Sequence, residues 1–337
     1  MLTQICRVVI PAMLLFFFSG AVYIKSARVV PVVPGGRCLG MFESGGLIEW
    51  DVEDATTSWK ADAGCAIRYR SQNESIGCLH DVAMQRLNAS FIVFLGDSRL
   101  RQLRDGIILE LTGKDMDFQA NRNALGDPLF DKKHEGRGFF YENARAQVRN
   151  EWEPHLDDGG GSFTRVVENL TRAELKPSLL VMGAGSWLVR DCHRANKTQQ
   201  TCIQTYKENF KKLLPLLDKL VPTTDMIWLP QCAISERHLN NVNNIGVGFT
   251  NSNMQLYNDA IKELLPPYMI YWQSAWDVSV QLNEGLDGLH FSRRAKRYLT
   301  QMLLNWACSA PYRRDPEIMR HSQLLDWNAR STEYCCD

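Results

Sequence analysis

The sequence has no excess of charge of either sign. Its 337 residues contain 38 lysines and arginines and 38 aspartates and glutamates, so the formal net charge at pH 7 is zero. Proteins that bind nucleic acid usually carry a basic surface, because they must neutralise phosphates. A nucleic-acid partner is therefore not expected. The hydrophobic content of 45% is ordinary for a folded protein, and the chain is long enough to bury a large core.

The cysteine and histidine spacing typical of zinc sites is also missing. The ten cysteines include no CxxC pair with accompanying histidines, so no metal site is predicted. Nine of the ten follow the N-terminal apolar segment, and in an oxidising compartment most of them should form disulfides. Cys192 and Cys202 are close enough in sequence to close a small loop. The connectivity of the cysteines cannot be deduced from the sequence.

Only one long run is both uncharged and strongly apolar, and it lies near the N-terminus. Residues 8–24 contain no charge over 17 positions, which is at the short limit for a membrane span. This segment is either a retained signal anchor or a signal peptide cleaved near residues 19–21, and both would direct the chain into the secretory route. Four Asn-x-Ser/Thr acceptors beyond it agree with exposure to the lumen. They are Asn73, Asn88, Asn169 and Asn196.

From about residue 90 onward, short apolar runs alternate with helical patterns. The runs have strand length and no polar alternation, as in strands buried on both faces. They lie at residues 91–95, 178–182, 226–230 and 268–272. Between and after them, apolar residues follow helical spacing. We expect helices at residues 99–112, 203–220, 253–265 and 293–307. This order predicts an α/β fold, a three-layer α/β/α sandwich around a mainly parallel sheet.

The same patterns divide the chain into four regions. Residues 1–28 would be a cytosolic stub and one apolar helix that precedes the sandwich, and residues 29–85 a stem with a cysteine-containing prologue. Residues 86–310 would form the α/β domain, followed by a C-terminal tail at 311–337. Within the domain, residues 114–165 are polar and glycine-rich, and we interpret them as a long insertion.

A serine lies at the end of the first predicted strand. The sequence FLGDSRL places Ser98 where strand 91–95 ends and helix 99–112 begins. Open α/β sheets bind ligands at the carboxyl ends of their strands, and the free N–H groups of a helix N-terminus stabilise negative charge. Either Asp97 or Ser98 caps the helix, or Ser98 is a nucleophile whose oxyanion would form in the field of that helix.

A carboxylate and a histidine follow much later in the chain. The sequence GLDGLHFS places Asp287 three residues before His290, just ahead of the last long helix. A serine nucleophile needs a base, and the base needs an orienting carboxylate, and a tight D-x-x-H turn can present both. A lone Asp–His pair would be an ordinary surface turn. The combination with Ser98 favours a catalytic triad over a helix cap.

Together, the two motifs resemble the SGNH (GDSL) hydrolase superfamily. More narrowly, FLGDSRLRQL, VMGAGSWLVR and LDGLHFS resemble the lumenal catalytic domain of the Cas1-domain-containing sialate O-acetyltransferases, which are related to the PC-esterase proteins. The resemblance covers roughly residues 85–310. It implies an SGNH-hydrolase-like fold, with Ser98, Asp287 and His290 as the catalytic triad.

The sequence departs from these relatives at two points. The superfamily's G-x-N-D block, whose asparagine donates to the oxyanion, is replaced by GAGSW at residues 183–187. The oxyanion hole would then rest on the Ser98 backbone N–H and further donors, with Gly183 and Gly185 allowing close backbone approach. Full-length family members also continue into a multi-span membrane region, and no second apolar span follows here. A short form, a lumenal-domain relative and a truncated chain all stay open.

Three further side chains are candidates for substrate binding. Trp187 is either a substrate platform or part of the core. Arg99 and Arg101 would bind phosphates of coenzyme A or of a nucleotide sugar, because guanidinium groups bind phosphate bidentately; the alternative is a solvated helix face or a structural ion pair. Gln102 is assigned no role.

The resemblance implies an O-acetyltransferase of the Golgi membrane with a lumenal catalytic domain; the alternative location is outside the cell. Acetyl-coenzyme A would be the co-substrate, and no bound cofactor is expected. The acetyl group would pass through an acetyl-serine to a sugar hydroxyl. The acceptor that the resemblance implies is sialic acid, in its CMP-activated form. Two other functions stay open: a carbohydrate O-acetyl esterase with the same triad, and a catalytically inert lumenal binding protein.

Overall fold

A computed structural model describes most of the chain between Arg37 and Arg314. The described residues are 37–43, 46–51, 56–61, 67, 69–86, 89–117, 136–156, 162–242, 248–282 and 287–314. The apolar segment at 8–24 and most of the predicted C-terminal tail lie outside them. Within these ranges, no helix combines the length and the apolar character needed to cross a membrane.

The fold is built around a six-stranded sheet, with a separate two-stranded hairpin. The strands are β1 (Gly46–Asp51), β2 (Thr56–Ala61), β3 (Ser90–Gly96), β4 (Arg137–Tyr141), β5 (Ala146–Trp152), β6 (Leu179–Gly183), β7 (Asp225–Trp228) and β8 (Met269–Tyr271). The large sheet has the order β4-β5-β3-β6-β7-β8. Its strands are parallel from β5 through β8, whereas β4 pairs antiparallel with β5. Strands β1 and β2 form the antiparallel hairpin.

Helices cover both faces of the large sheet, so the predicted α/β/α sandwich is confirmed. The helices are α1 (Arg37–Glu43), α2 (Gln72–Gln85), α3 (Ser98–Thr112), α4 (Ser162–Arg172), α5 (Ser186–Arg194), α6 (Gln199–Leu217), α7 (Glu236–Val242), α8 (Asn251–Lys262), α9 (Gln273–Gln281) and α10 (Arg293–Arg314). Alternate residues of β3 face two separate apolar cores. Ile92 and Phe94 pack with α3 and α10, whereas Phe91, Val93 and Leu95 pack with α4, α6 and α8.

The four strands and four helices expected from the apolar pattern are all present near their predicted positions. The interpretation of residues 114–165 as an insertion is wrong for their second half, because β4 and β5 lie there. Strand β5 pairs with β3 along its whole length. Its sequence, AQVRNEW, alternates buried residues with more exposed ones such as Arg149. It therefore lacks the continuous apolar run that marked the other strands.

Residues ahead of the α/β domain pack into the same core. Met41 and Phe42 of α1 are fully buried, and the Phe42 ring lies 5.1 Å from the Trp272 ring and 5.4 Å from the Trp306 ring. Strand β1 is bonded to α9 through Gln281, whose amide donates to one β1 carbonyl and accepts from one β1 N–H. The region boundaries drawn from the sequence stay predictions.

Two disulfides connect helices in the described part of the chain. Cys78 of α2 is bonded to Cys308 of α10, with a Cα–Cα distance of 5.5 Å. Cys192 and Cys202, whose closeness in sequence allows a small loop, are bonded and join α5 to the first turn of α6. Of the predicted glycosylation sites, three asparagines are exposed and the fourth, Asn88, lies outside the described residues. Their modification stays a prediction. The exposed ones are Asn73, Asn169 and Asn196.

Candidate active site

Helix α3 is capped by Asp97, which leaves the Ser98 hydroxyl out of the cap. The Asp97 carboxylate accepts a hydrogen bond from the Arg99 backbone N–H at 2.9 Å. Its second oxygen accepts one from the Ser186 hydroxyl at 2.5 Å. Asp97 is buried, whereas Ser98 is half-buried and lines a cavity. The cap interpretation therefore applies to Asp97, as expected for an aspartate at this position.

The position of Ser98 depends on a close approach between two strand ends. Gly96 has φ +152°, and a Cβ there would lie only 2.1 Å from the Gly183 carbonyl oxygen. Only glycine fits such a junction without moving one of the strands. The end of β3 consequently reaches the end of β6, and Ser98 begins its helix at the carboxyl edge of the sheet, where open α/β folds bind ligands.

Asp287 and His290 form one tightly bonded turn. The Asp287 Oδ2 atom lies 2.5 Å from Nδ1 of His290, and Oδ1 accepts from the backbone N–H groups of Leu289 and His290 at 2.9 Å each. Gly288 has φ +72°, and its carbonyl accepts from the Ser235 N–H at 2.8 Å. A Cβ at Gly288 would lie 2.7 Å from the Ser235 carbonyl oxygen. The D-x-x-H spacing thus forms the turn that the sequence predicts.

These contacts favour the ionised form of Asp287. Burial by itself would raise the pKa of Asp287, but the hydrogen bonds from the His290 ring, from the His290 backbone and from Leu289 outweigh burial and hold that pKa well below its usual range. An ionised carboxylate only accepts hydrogen bonds, so Nδ1 of His290 carries the proton. Nε2 of His290 is buried and has no hydrogen-bond partner among the described residues. No other group of the described residues therefore occupies this nitrogen.

Helix α3 holds this turn on both sides of His290. The Arg99 guanidinium donates from Nε and Nη2 to the Leu289 carbonyl, at 3.0 and 2.9 Å. The Gln102 amide donates to the Phe291 carbonyl at 3.2 Å and accepts from the Phe291 N–H at 3.0 Å. The helix that begins with Ser98 therefore also fixes the backbone immediately before and after His290. This arrangement links the nucleophile candidate and the base candidate through one rigid element.

Ser98, Asp287 and His290 line one cavity of about 480 Å³. This volume lies within the range of roughly 300–1,000 Å³ that is typical of small-molecule sites. Trp187 and Arg101 line the same cavity, so five of the predicted site residues meet there. Their catalytic and binding roles stay predictions.

Three other predicted site residues are placed differently. Arg99 is 2% exposed and does not line the cavity. Its hydrogen bonds to the Leu289 carbonyl hold the histidine turn in place. The expectation that Arg99 binds phosphate is corrected, because its guanidinium is buried and used in these bonds. Gly183 and Gly185 also lie outside the cavity wall. A Cβ at Gly183 would lie 2.7 Å from the Leu229 carbonyl oxygen, and one at Gly185 would lie 3.0 Å from the Gln231 side chain.

Sequence reasoning missed several residues that line this cavity, among them Gln102, Trp152 and Arg190. Gln102 lies one helical turn after Ser98, and this i,i+4 spacing could have placed it on the same face as the serine. Trp152 ends β5, so it could not be found without that strand. Arg190 follows Trp187 by three residues on α5, a spacing that predicts contact between them.

The free thiol of the described residues is not a competing nucleophile. Cys232 is fully buried and unpaired. Burial raises the pKa of its thiol to about 12, and the nearby Arg99 charge lowers it only in part. Since the thiolate is the reactive form, this cysteine is inert at neutral pH.

The chain matches no protein-family model. Its fold is similar to a solved structure described as a GDSL-like lipase from Parabacteroides merdae, with 16% identity and a TM-score of 0.39, over 66% of this chain and 97% of that one. It is also similar to an acetyl-xylooligosaccharide esterase from Geobacillus, with 14% identity and a TM-score of 0.38, over 65% of this chain and 94% of that one. An alpha/beta hydrolase from the metagenome of Lake Arreo is likewise similar, with 16% identity and a TM-score of 0.36, over 66% of this chain and 96% of that one. Likenesses at this level say nothing about the reaction or the substrate of this chain.

Proposed function

We propose that the protein is a serine-dependent acyltransferase that moves an acetyl group from acetyl-coenzyme A to a sugar hydroxyl. The observation that carries this proposal is the cavity shared by Ser98, His290 and Asp287. Asp97 takes the capping role that would otherwise occupy Ser98, and Nε2 of His290 is available as a base. These are the parts that nucleophilic catalysis by a serine requires.

In the first half-reaction, the Ser98 hydroxyl oxygen attacks the thioester carbonyl. Nε2 of His290 accepts the hydroxyl proton, and Asp287 stabilises the resulting imidazolium. The tetrahedral oxyanion forms near the N-terminus of α3, where the helix dipole and free N–H groups favour negative charge. Collapse breaks the carbon–sulfur bond, and His290 returns the proton to the leaving thiolate. The products are acetyl-Ser98 and free coenzyme A.

In the second half-reaction, a sugar hydroxyl takes the place of coenzyme A. His290 removes its proton as the hydroxyl oxygen attacks the acetyl-serine carbonyl. The ester bond to Ser98 breaks, and the serine oxygen regains the proton from His290. The sequence resemblance described above motivates sialic acid, or its CMP-activated form, as the acceptor. It also motivates the Golgi lumen as the location, with the N-terminal segment in the membrane.

The experiment follows the fate of the acetyl group. The protein is incubated with acetyl-coenzyme A labelled in the acetyl group, with and without CMP-sialic acid, and both labelled acetate and labelled sugar are measured. We expect the label to appear mainly on the sugar, and to be absent from it in His290→Gln. The exposed His193→Gln is the matched control and should behave as wild type.

Two results would overturn the proposal. Release of acetate from acetylated sialic acid, without labelling of any acceptor, would identify an esterase that uses the same triad with water. No labelled product from any substrate, with equal behaviour of wild type and His290→Gln, would leave a binding function.

A further inference from the structure

Arg99 is a buried cation that directly follows Ser98 in the first turn of α3. The residue is 2% exposed. Arg104, which is also buried on α3, is neutralised by the carboxylate of Asp105 at 2.6 Å. Within the described residues, the Arg99 guanidinium forms no ion pair with a carboxylate, and its buried Nη1 atom has no hydrogen-bond partner. Burial of an unpaired charge costs stability, so the fold retains Arg99 at a cost.

Hydrogen bonds through Arg99 connect the cap of α3 with the histidine turn. The Arg99 backbone N–H donates to the Asp97 carboxylate at 2.9 Å, and its Nε and Nη2 donate to the Leu289 carbonyl at 3.0 and 2.9 Å. The Leu289 N–H donates to Oδ1 of Asp287 at 2.9 Å, and Oδ2 of Asp287 lies 2.5 Å from Nδ1 of His290. A continuous path of hydrogen bonds therefore runs from the helix cap to the imidazole.

Arg99 also contacts the residue on the other side of His290. Its guanidinium carbon lies 5.9 Å from the centre of the Phe291 ring, which is within the distance for a cation–π contact. Because the guanidinium is planar and two of its nitrogens donate to one carbonyl oxygen, its direction is fixed. A lysine ammonium is a single point charge on a flexible stem and cannot reproduce this forked contact.

We infer that Arg99 is a positioning residue, which sets the place of the His290 imidazole relative to the Ser98 hydroxyl. It acts through the Leu289 carbonyl and does not line the cavity, so it is not assigned a contact with the substrate. Misplacement of a catalytic group by about 1 Å can lower a rate by about 100-fold. The inference rests on the proposed transfer through Ser98, and it adds how the base is kept within reach of the serine.

The test replaces Arg99 by methionine, which has neither the charge nor the donors. The rate of Ser98 modification is measured with a biotin-linked fluorophosphonate. In this reaction the serine oxygen bonds to phosphorus, the phosphorus–fluorine bond breaks, fluoride leaves, and His290 takes the hydroxyl proton. We expect the rate to fall by about 100-fold in Arg99→Met.

Thermal unfolding of the same variant separates positioning from a structural role. The melting temperature of Arg99→Met should equal or exceed that of wild type, because an unpaired buried charge has been removed and the half-buried Leu289 can bond water instead. A merely structural role predicts the reverse, namely a lower melting temperature with an unchanged labelling rate of the folded protein. That result would overturn the inference.

Two further variants separate the forked contact from the charge and from burial. Arg104→Met is the matched control, and it should lower the melting temperature by about 5 °C or more, because Asp105 loses its partner. The labelling rate of its folded fraction should stay near that of wild type. Arg99→Lys keeps the charge and should be about tenfold slower than wild type. Full rate in Arg99→Lys, or an equal rate loss in Arg104→Met, would overturn the inference.

The fluorophosphonate also separates this inference from the proposed function, because it requires no acetyl donor and no sugar. Labelling of wild-type Ser98 without any transfer from acetyl-coenzyme A would refute the proposed transfer, while the comparison with Arg99→Met would still decide the role of Arg99. Equal labelling rates in wild type and Arg99→Met would overturn the inference even if wild type transfers acetyl groups. Absence of labelling at Ser98 in wild type would overturn it as well, because no activated serine would then exist.

Discussion

Two neighbouring strand–helix junctions of the sheet place a serine in equivalent positions. At the end of β3, Ser98 begins α3; at the end of β6, Ser186 begins α5. Both serines line the same cavity. Ser186 is 3% exposed and donates its hydroxyl to the Asp97 carboxylate. Ser98 is half-buried and takes no part in the helix cap.

The difference between the junctions lies in the residue ahead of each serine. Asp97 satisfies the N-terminus of α3 with its own carboxylate and uses Ser186 as a donor. Gly185, at the equivalent position of α5, has no side chain with which to cap. Neither serine caps its own helix, so what separates them is that the Ser186 hydroxyl is buried and donated to Asp97, whereas Ser98 is more exposed to the cavity.

The largest expected effect is on the rate of acyl transfer, when each of the two serines is replaced by alanine in a separate variant. Ser98→Ala should lower the rate of acyl transfer by about 10⁴-fold or more, as expected for loss of a nucleophile. Its melting temperature should stay near that of wild type. Ser186→Ala should instead lower stability by about 1–3 kcal/mol, because Asp97 loses a buried donor. Steady-state kinetics and thermal unfolding of both variants check this; a similar rate loss in both would remove the distinction.

The next effect concerns the carboxylate of the histidine turn. Asp287→Asn should lower the rate by about 10³-fold, because the amide no longer stabilises the imidazolium or fixes the Nδ1–H tautomer. The pKa of Asp287 is depressed in the folded protein. Its ionised form therefore stabilises the fold above the unfolded pKa of about 3.9, and this stability is lost as the pH falls through the folded pKa.

The pH dependence of unfolding checks this assignment. The difference in melting temperature between wild type and Asp287→Asn should be largest near neutral pH and should shrink as the pH falls below about 4. The matched control Asp81→Asn changes an exposed aspartate and should show no such trend. A difference that grew at low pH would contradict the charge assigned to Asp287.

A smaller effect should follow from the contact between α3 and the histidine turn. The described hydrogen bonds of the β6–α5 junction include no equivalent contact with that turn. Gln102→Ala removes both hydrogen bonds to Phe291, and we expect a rate loss of about tenfold, because the base is held less firmly near Ser98. The exposed Gln204→Ala is the control. A melting temperature lowered without any change in the rate of the folded protein would show a purely structural role for Gln102.

The sequence predicted what depends on local pattern. Continuous apolar runs marked four parallel strands, and the spacing of Asp287 and His290 predicted their turn. Strand β5 was missed because one side of it is more polar, and Trp152 was missed with it. The role of Arg99 could not be predicted from the sequence either. Its charge is satisfied by the Leu289 carbonyl, 190 residues away in sequence, and no local pattern encodes that pairing.

The most direct test of the central claim is the mass of the protein after rapid quenching with acid. The full chain is mixed with acetyl-coenzyme A without any sugar acceptor, quenched, digested and mapped by mass spectrometry. We predict one acetyl group on the peptide that contains Ser98, its loss when a sugar acceptor is added before quenching, and no adduct in Ser98→Ala. An acetyl group on another residue, or none in wild type, would contradict the assignment of Ser98 as the nucleophile.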